Sequence, residues 1–162
     1  KNLPVMLNLT KEFPDYNFVI ASTDAMFTIC KEVSNRYDVL IEKENTYSVL
    51  KSSELALVTS GTATLETALL NVPQIVCYKT DKLTYLLAKL FVKIKWISLV
   101  NIIMNKEVVK ELIQDKMNTE SLKSEINLLL SDSEKIKKDY KKLKEILKSN
   151  KVSDKIAKFI LT

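Results

Sequence analysis

The pattern of apolar and polar positions predicts helices that alternate with short buried strands through the first half of the chain. Helical spacing of apolar residues covers residues 5–13, 24–33, 46–51 and 62–71. Continuous apolar runs, which are typical of strands covered on both faces, occupy residues 18–21, 39–41 and 55–58, and a further strand is expected at residues 74–78. We therefore expect an α/β fold, a Rossmann-like open parallel sheet with helices on both faces.

The second half is predicted to be mainly helical. From about residue 81 the spacing is helical, apart from a short strand expected at residues 96–100. We expect residues 1–115 to form one domain and residues 116–162 a helical tail. The tail would pack on this domain, on a domain outside the chain or on a second subunit. The spacing of the apolar residues in the tail does not distinguish these alternatives. Packing on a second subunit would make the protein a homodimer.

Composition excludes several kinds of chemistry. The chain has 25 basic and 20 acidic residues, one arginine and no histidine. Without histidine it cannot carry a Ser/His/Asp or Cys/His catalytic set or a His-ligated metal site, and we do not expect zinc chemistry. The mild, lysine-dominated charge gives no reason to expect nucleic-acid binding. Cys30 and Cys77 lie in separate apolar runs, so we expect two buried thiols in a reducing compartment.

The loop around the single glycine, Gly61, is the strongest candidate for a ligand site. It follows an apolar run and opens a helical segment, and ligands of open α/β sheets bind at such junctions. The loop offers unpaired amides and the hydroxyl groups of Ser60, Thr62 and Thr64. Glu66 lies one turn further, where it could accept hydrogen bonds from a ribose. The set suits a nucleotide diphosphate, with Ala63 contributing its amide.

An ordinary structural explanation fits the same residues. Thr62 could cap a helix, Gly61 could make a turn, and Glu66 could complement the helix dipole. One glycine in a loop is a weak signal, and the segment matches neither a Walker A loop nor GxGxxG. The residues alone leave both explanations open.

Residues 79–95 form a basic amphipathic stretch with five lysines and one aspartate. Such a helix can lie on an anionic membrane surface. The alternative is that its apolar stripe packs on the sheet and its lysines are solvated.

Residues 60–66, which read SGTATLE, resemble a motif of bacterial lipid-A-disaccharide synthases. The order of further matching segments supports the resemblance: residues 72–79, 87–89, 97–103 and 108–113. These proteins are peripheral inner-membrane glycosyltransferases of the GT-B fold, in which two Rossmann-like domains enclose the active site. The resemblance implies a cytoplasmic hexosyltransferase that transfers 2,3-diacylglucosamine from UDP-2,3-diacylglucosamine to 2,3-diacylglucosamine 1-phosphate. It implies neither a metal nor an organic cofactor.

The resemblance also assigns roles by position. It implies that the loop residues contact the pyrophosphate and that Glu66 binds the ribose. The segment from Ile41 to Asn45 would hold the uracil, largely through backbone groups. Asn101 would be a further residue of the cleft, without a defined role.

Two departures from the family pattern shape our expectations. The family's PGSR loop and the strand before it have no counterpart, and because that strand is central, we expect a gap in the sheet. The amino-terminal domain expected to supply the acceptor site and the catalytic base also has no counterpart, so we expect this chain alone to be inactive. Two alternatives remain: another GT-B transferase or epimerase, or a truncated interaction domain without catalytic function.

Overall fold

Strands and helices alternate along the chain, as the apolar pattern predicted. The computed structural model describes residues 2–59, 61–81 and 95–149. The strands in these ranges are β1 (Val19–Ala21), β2 (Leu40–Glu42), β3 (Ala56–Thr59), β4 (Gln74–Tyr78) and β5 (Lys110–Ile113). The α-helices are α1 (Asn2–Leu7), α2 (Phe27–Tyr37), α3 (Thr46–Ser52), α4 (Thr62–Leu69), α5 (Leu99–Met104), α6 (Thr119–Ser131) and α7 (Glu134–Ser149). Short 3-10 segments span Asn8–Lys11, Asp24–Met26 and Gln114–Lys116.

The strands form two parallel sheets. One sheet contains β1 and β2, and the other has the order β3-β4-β5. In the larger sheet Thr59 pairs with Cys77, and Tyr78 pairs with Ile113. Its three strands therefore end together at one side of the sheet, which we call the carboxyl edge.

One edge of β1 and one edge of β3 lack a strand partner among the described residues. The doubly wound order, with one central strand left out, gives these two groups, β2-β1 and β3-β4-β5. That a central strand is missing between the two groups stays a prediction from the resemblance.

Helices cover both faces of the larger sheet, which confirms the predicted fold class. Alternate residues of β4 point to opposite faces. Ile75 and Cys77 pack against α1 and α6, in a cluster with Met6, Leu9, Leu112, Met117, Leu122 and Ile126. Val76 packs on the other face against α4, α5 and α7, in a cluster with Ala68, Val100, Val109, Ile136, Tyr140 and Leu143. The described part of the helical tail therefore contributes to both halves of this core.

The smaller sheet is covered less completely than the apolar runs predicted. Ile20 is buried, but Val19 is 39% exposed and Leu40 is 74% exposed. The prediction of buried strands is therefore wrong for β1 and β2. An apolar run favours an extended conformation, whereas its burial depends on which other elements cover it.

Three further predictions are wrong. Residues 110–113, which were expected to be helical, form β5. Residues 96–100 do not form a strand, because the Ser98 hydroxyl accepts a hydrogen bond from the Asn101 amide at 3.2 Å and caps α5. Cys77 is a buried thiol as expected, but Cys30 is only half-buried; both are free. None of the described helices is both long and apolar enough to cross a bilayer.

Candidate functional site

The candidate site is the junction between β3 and α4 at the carboxyl edge. Gly61 has φ 118° and ψ −158°, a conformation that is essentially restricted to glycine. A Cβ atom built on Gly61 would meet nothing within 4 Å. The backbone conformation therefore requires glycine here, and the space in front of it is open to a ligand. Ser60, which precedes Gly61 in the predicted loop, lies outside the described residues.

The first turn of α4 leaves its outermost amides available to a ligand. Thr64 donates hydrogen bonds from its amide and from Oγ1 to the Gly61 carbonyl, at 3.2 and 2.8 Å. The amides of Thr62 and Ala63 precede this bond, and both residues are exposed. The positive end of the helix dipole adds to the attraction of these amides for an anion. The arrangement therefore suits a phosphate group.

The predicted loop residues differ in what their side chains can do. Thr62 does not cap the helix, since the N-cap residue is Gly61, which excludes the capping role considered for Thr62. Thr64 is fully buried and its hydroxyl is engaged by Gly61, so it holds the turn in shape. Glu66 is half-buried on α4.

Buried polar contacts fix α4 against the rest of the domain. Gln74 Nε2 donates to the Thr64 carbonyl at 2.8 Å and to the Tyr140 hydroxyl oxygen at 3.2 Å. Gln74 and Tyr140 are both fully buried. Burial raises the pKa of Tyr140 well above its ordinary value, so the phenol stays neutral. The tail helix α7 thus helps to hold the helix that carries the candidate anion site.

The predicted uracil segment lies at the end of β2, in the smaller sheet. Ile41 is half-buried and pairs with Ile20. Glu42 Oε1 accepts hydrogen bonds from the amides of Glu44 at 2.8 Å and Asn45 at 3.1 Å. The Asn45 amide and then the Glu44 amide lower the pKa of Glu42. The Glu42 carboxylate therefore orders the loop, and the Asn45 amide already donates its hydrogen bond to this carboxylate.

Asn101, predicted as a cleft residue, is fully buried. Its Oδ1 accepts from the amides of Val108 and Val109, at 2.7 and 2.9 Å. Its Nδ2 donates to the Val109 carbonyl at 2.8 Å and to Glu111 Oε1 at 2.9 Å. Both polar atoms of the side chain are therefore used to join α5 to β5.

Sequence reasoning missed Gln114, which follows β5 at the carboxyl edge. Gln114 Oε1 accepts a hydrogen bond from the Thr80 amide at 3.2 Å, just beyond the end of β4. Its Nε2 is buried and has no hydrogen-bond partner within the described ranges. Residues 108–113, if recognised as a strand, would have placed Gln114 at the end of that strand. The helical structure predicted for this region obscured that signal.

A groove of about 230 Å³ lies elsewhere, between α6, α7 and the segment before β5. Its lining includes Gln74, Glu107 and Asp139. Gln74 begins β4 and Glu107 precedes β5, so the groove lies at the end of the sheet opposite to Gly61. It is not part of the candidate site.

Two other features considered from the sequence are the basic amphipathic stretch and metal binding. Most of the basic amphipathic stretch, residues 82–94, lies outside the described residues. Across the described ranges, no group of three or more His, Cys, Asp or Glu residues is arranged to hold a metal ion.

Comparisons with known proteins point to one family. The family model described as lipid-A-disaccharide synthetase matches residues 4–161. A lipid-A-disaccharide synthase of Sulfurihydrogenibium sp. is 35% identical over 91% of this chain and 42% of its own length. Those of Blochmanniella pennsylvanica and Geobacter sulfurreducens are 33% and 31% identical over 92% and 99% of this chain. The chain spans 37% and 44% of these two relatives, so it corresponds to about two fifths of a curated relative.

Proposed function

This chain belongs to the lipid-A-disaccharide synthetase family, and from that membership we propose that it forms the donor-binding part of a hexosyltransferase. The whole enzyme would transfer 2,3-diacylglucosamine from UDP-2,3-diacylglucosamine to 2,3-diacylglucosamine 1-phosphate. The products are the lipid A disaccharide and UDP. The observation that carries the proposal is the open Gly61 junction, where a glycine-only turn precedes exposed amides at the start of α4.

The proposed role of this junction is to stabilise the leaving group. When the bond between the anomeric carbon and the phosphate oxygen breaks, the electron pair stays with the UDP diphosphate. The amides of Thr62 and Ala63, together with the α4 dipole, stabilise that charge. The acceptor hydroxyl loses its proton to a base, which the proposal places outside this chain.

Glu66 is proposed to select a ribonucleotide. A carboxylate on α4 beyond the phosphate site can accept hydrogen bonds from the two ribose hydroxyls. Hydrogen bonds to a charged group typically contribute about 1.5–3 kcal/mol each. Its half-buried position supports this role, because partial exclusion of water strengthens such bonds. Ile41 and the backbone near Asn45 are proposed to contact the uracil.

Calorimetric titration with UDP tests the proposal. We expect saturable binding by the folded chain and at least about tenfold weaker binding by Glu66→Ala. Glu54→Ala is a matched control, because Glu54 is exposed and precedes β3 at the opposite edge of the sheet. Absence of UDP binding by a chain that unfolds cooperatively would contradict the proposal. Equal weakening by both substitutions would remove the ribose role from Glu66.

Association with the cytoplasmic face of the inner membrane is part of the same proposal. The proposed substrates carry acyl chains, and α7 exposes lysines that an anionic surface attracts: Lys135, Lys138, Lys141, Lys142 and Lys148. Sedimentation with vesicles tests this. We expect more protein to bind phosphatidylglycerol vesicles than phosphatidylcholine vesicles, with the difference lost at high salt. Equal binding to both would contradict an electrostatic association.

A homodimer is also proposed. Exposed apolar side chains are concentrated in and around the smaller sheet: Val19, Met26, Ile29, Leu40 and Tyr47. Contiguous apolar surface often marks an interface. Sedimentation velocity over a concentration series tests this, with Leu40→Glu expected to shift the equilibrium towards monomer. A parent chain that stays monomeric at high concentration would exclude the dimer.

A further inference from the structure

Gln114 has a backbone conformation that is rare for glutamine and a buried side-chain donor that lacks an acceptor among the described residues. Its φ is +54°, whereas the other non-glycine residues with positive φ in the described ranges are Asp38, Asn71 and Asn105. Aspartate and asparagine are enriched in this conformation, but glutamine is not. The backbone at Gln114 is therefore strained, and such strain is found most often at functional sites.

The second feature is the unpartnered amide donor of Gln114. The Thr80 amide must face an oxygen, so its hydrogen bond to Oε1 fixes which end of the Gln114 side chain is the NH2 group. That NH2 group is buried, with no acceptor in the described part of the chain. A buried donor without an acceptor costs free energy, which an oxygen atom of a ligand would recover.

The place of Gln114 in the sheet indicates which part of a ligand it would meet. It lies at the carboxyl edge, at the end of β5, and β4 separates β5 from the Gly61 junction on β3. Neighbouring strands are about 4.8 Å apart, so the two positions are separated by roughly 10 Å. With the diphosphate at Gly61 and the uracil expected on the side of β2, the portion of the donor that extends over β4 and β5 is the sugar.

We propose that Gln114 Nε2 donates a hydrogen bond to a neutral oxygen of the donor sugar, either a hydroxyl or an acyl carbonyl. The inference rests on the proposed function and adds a sugar-recognising residue to it. A neutral amide suits a neutral oxygen, whereas the charged diphosphate is served by the helix amides at Gly61. Thr80 holds the amide in the required orientation.

The test compares two ligands and two substitutions. Binding of UDP and of UDP-2,3-diacylglucosamine is measured by calorimetry in the same detergent micelles. Gln114→Glu keeps the oxygen that Thr80 needs but replaces the donor with a second oxygen. Gln114→Gly removes the side chain and relieves the backbone strain. Asn105→Gly is the control, since Asn105 is exposed, has φ 49° and lies beyond α5 at the opposite edge.

We expect both Gln114 variants to bind the nucleotide sugar about tenfold more weakly while UDP binding stays within about twofold of the parent. Asn105→Gly should leave the affinity for both ligands unchanged. Unchanged sugar affinity, or equal weakening of both ligands, would overturn the role of Gln114 but leave the UDP site intact. A parent chain that binds neither ligand would overturn the proposed function itself. Thermal unfolding of each variant distinguishes loss of contact from loss of fold.

Discussion

Asn101 Nδ2 donates a hydrogen bond to Glu111 Oε1 at 2.9 Å, which connects the first turn of α5 to the middle of β5. The Glu111 carboxylate also accepts hydrogen bonds from the amides of Ile97 and Ser98, at 2.9 and 3.0 Å. The segment that leads into α5 is therefore fixed to the sheet by one asparagine and one glutamate. This relationship explains why a polar side chain can be fully buried at position 101.

The first prediction concerns this buried pair. Asn101→Ala removes two acceptor and two donor contacts and leaves the buried amide of Val109 without a partner. We expect the free energy of unfolding to fall by about 3 kcal/mol. Urea denaturation measures this, and UDP calorimetry on the same variant shows whether Asn101 also contacts the ligand. A loss below about 1 kcal/mol would contradict the structural role.

The second prediction concerns the conformation of Gly61. Gly61→Ala should destabilise the chain by about 1–3 kcal/mol, because φ 118° with ψ −158° is strained for any residue with a Cβ. A Cβ at position 61 would meet nothing within 4 Å beyond its chain neighbours, so the loss would come from the local backbone strain alone. Thermal unfolding with and without UDP measures both stability and ligand binding. An unchanged melting temperature would show that the turn has a different conformation in solution.

The third prediction concerns alkaline pH. Burial raises the pKa of the Cys77 thiol from 9.0 to about 12. The unfolded thiol ionises above pH 9.0 while the folded thiol keeps its proton, so stability should fall as pH rises from 9.0 towards 12. Denaturation across this range measures the slope. Cys77→Ala should reduce the slope, whereas Cys30→Ala should retain it because Cys77 is still present; an equal slope in all three proteins would contradict the assignment.

The fourth prediction concerns the loop after β2. The amides of Asn45 and Glu44 lower the pKa of Glu42 below 4.5. The stabilisation of this loop is therefore complete above pH 4.5 and is lost as pH falls through the lowered value. The amide proton shifts of Glu44 and Asn45, followed by NMR, should titrate with a midpoint below 4.5. Glu42→Gln should abolish that titration; a midpoint at or above 4.5 would contradict the two hydrogen bonds.

The sequence was most informative where secondary structure and burial coincide. Residues 74–78 were predicted as a buried strand and form β4, because a central parallel strand is apolar on both faces. β5 was missed because Lys110 and Glu111 interrupt its apolar pattern, and Glu111 serves as an acceptor for loop amides.

The candidate site was predictable only in part. Gly61 was identifiable because it is the only glycine of the chain and follows an apolar run. The buried positions of Thr64 and Asn101 depend on partners distant in sequence or in other elements, such as Gln74 and Val109, which periodicity does not identify. Recognising residues 108–113 as a strand would have placed Gln114 at the carboxyl edge, but its strain and its unpartnered donor exist only in the folded chain.

The most direct test of the central claim, that the Gly61 junction binds the nucleotide diphosphate, is to follow backbone amide signals by NMR during titration with UDP. We expect the largest saturable shifts at Gly61, Thr62 and Ala63, with smaller shifts along α4 as far as Glu66. Amides beside the groove at the opposite end of the sheet, such as Glu107, should not move. Shifts confined to that groove, or none at Gly61 to Ala63 at saturating UDP, would contradict the claim.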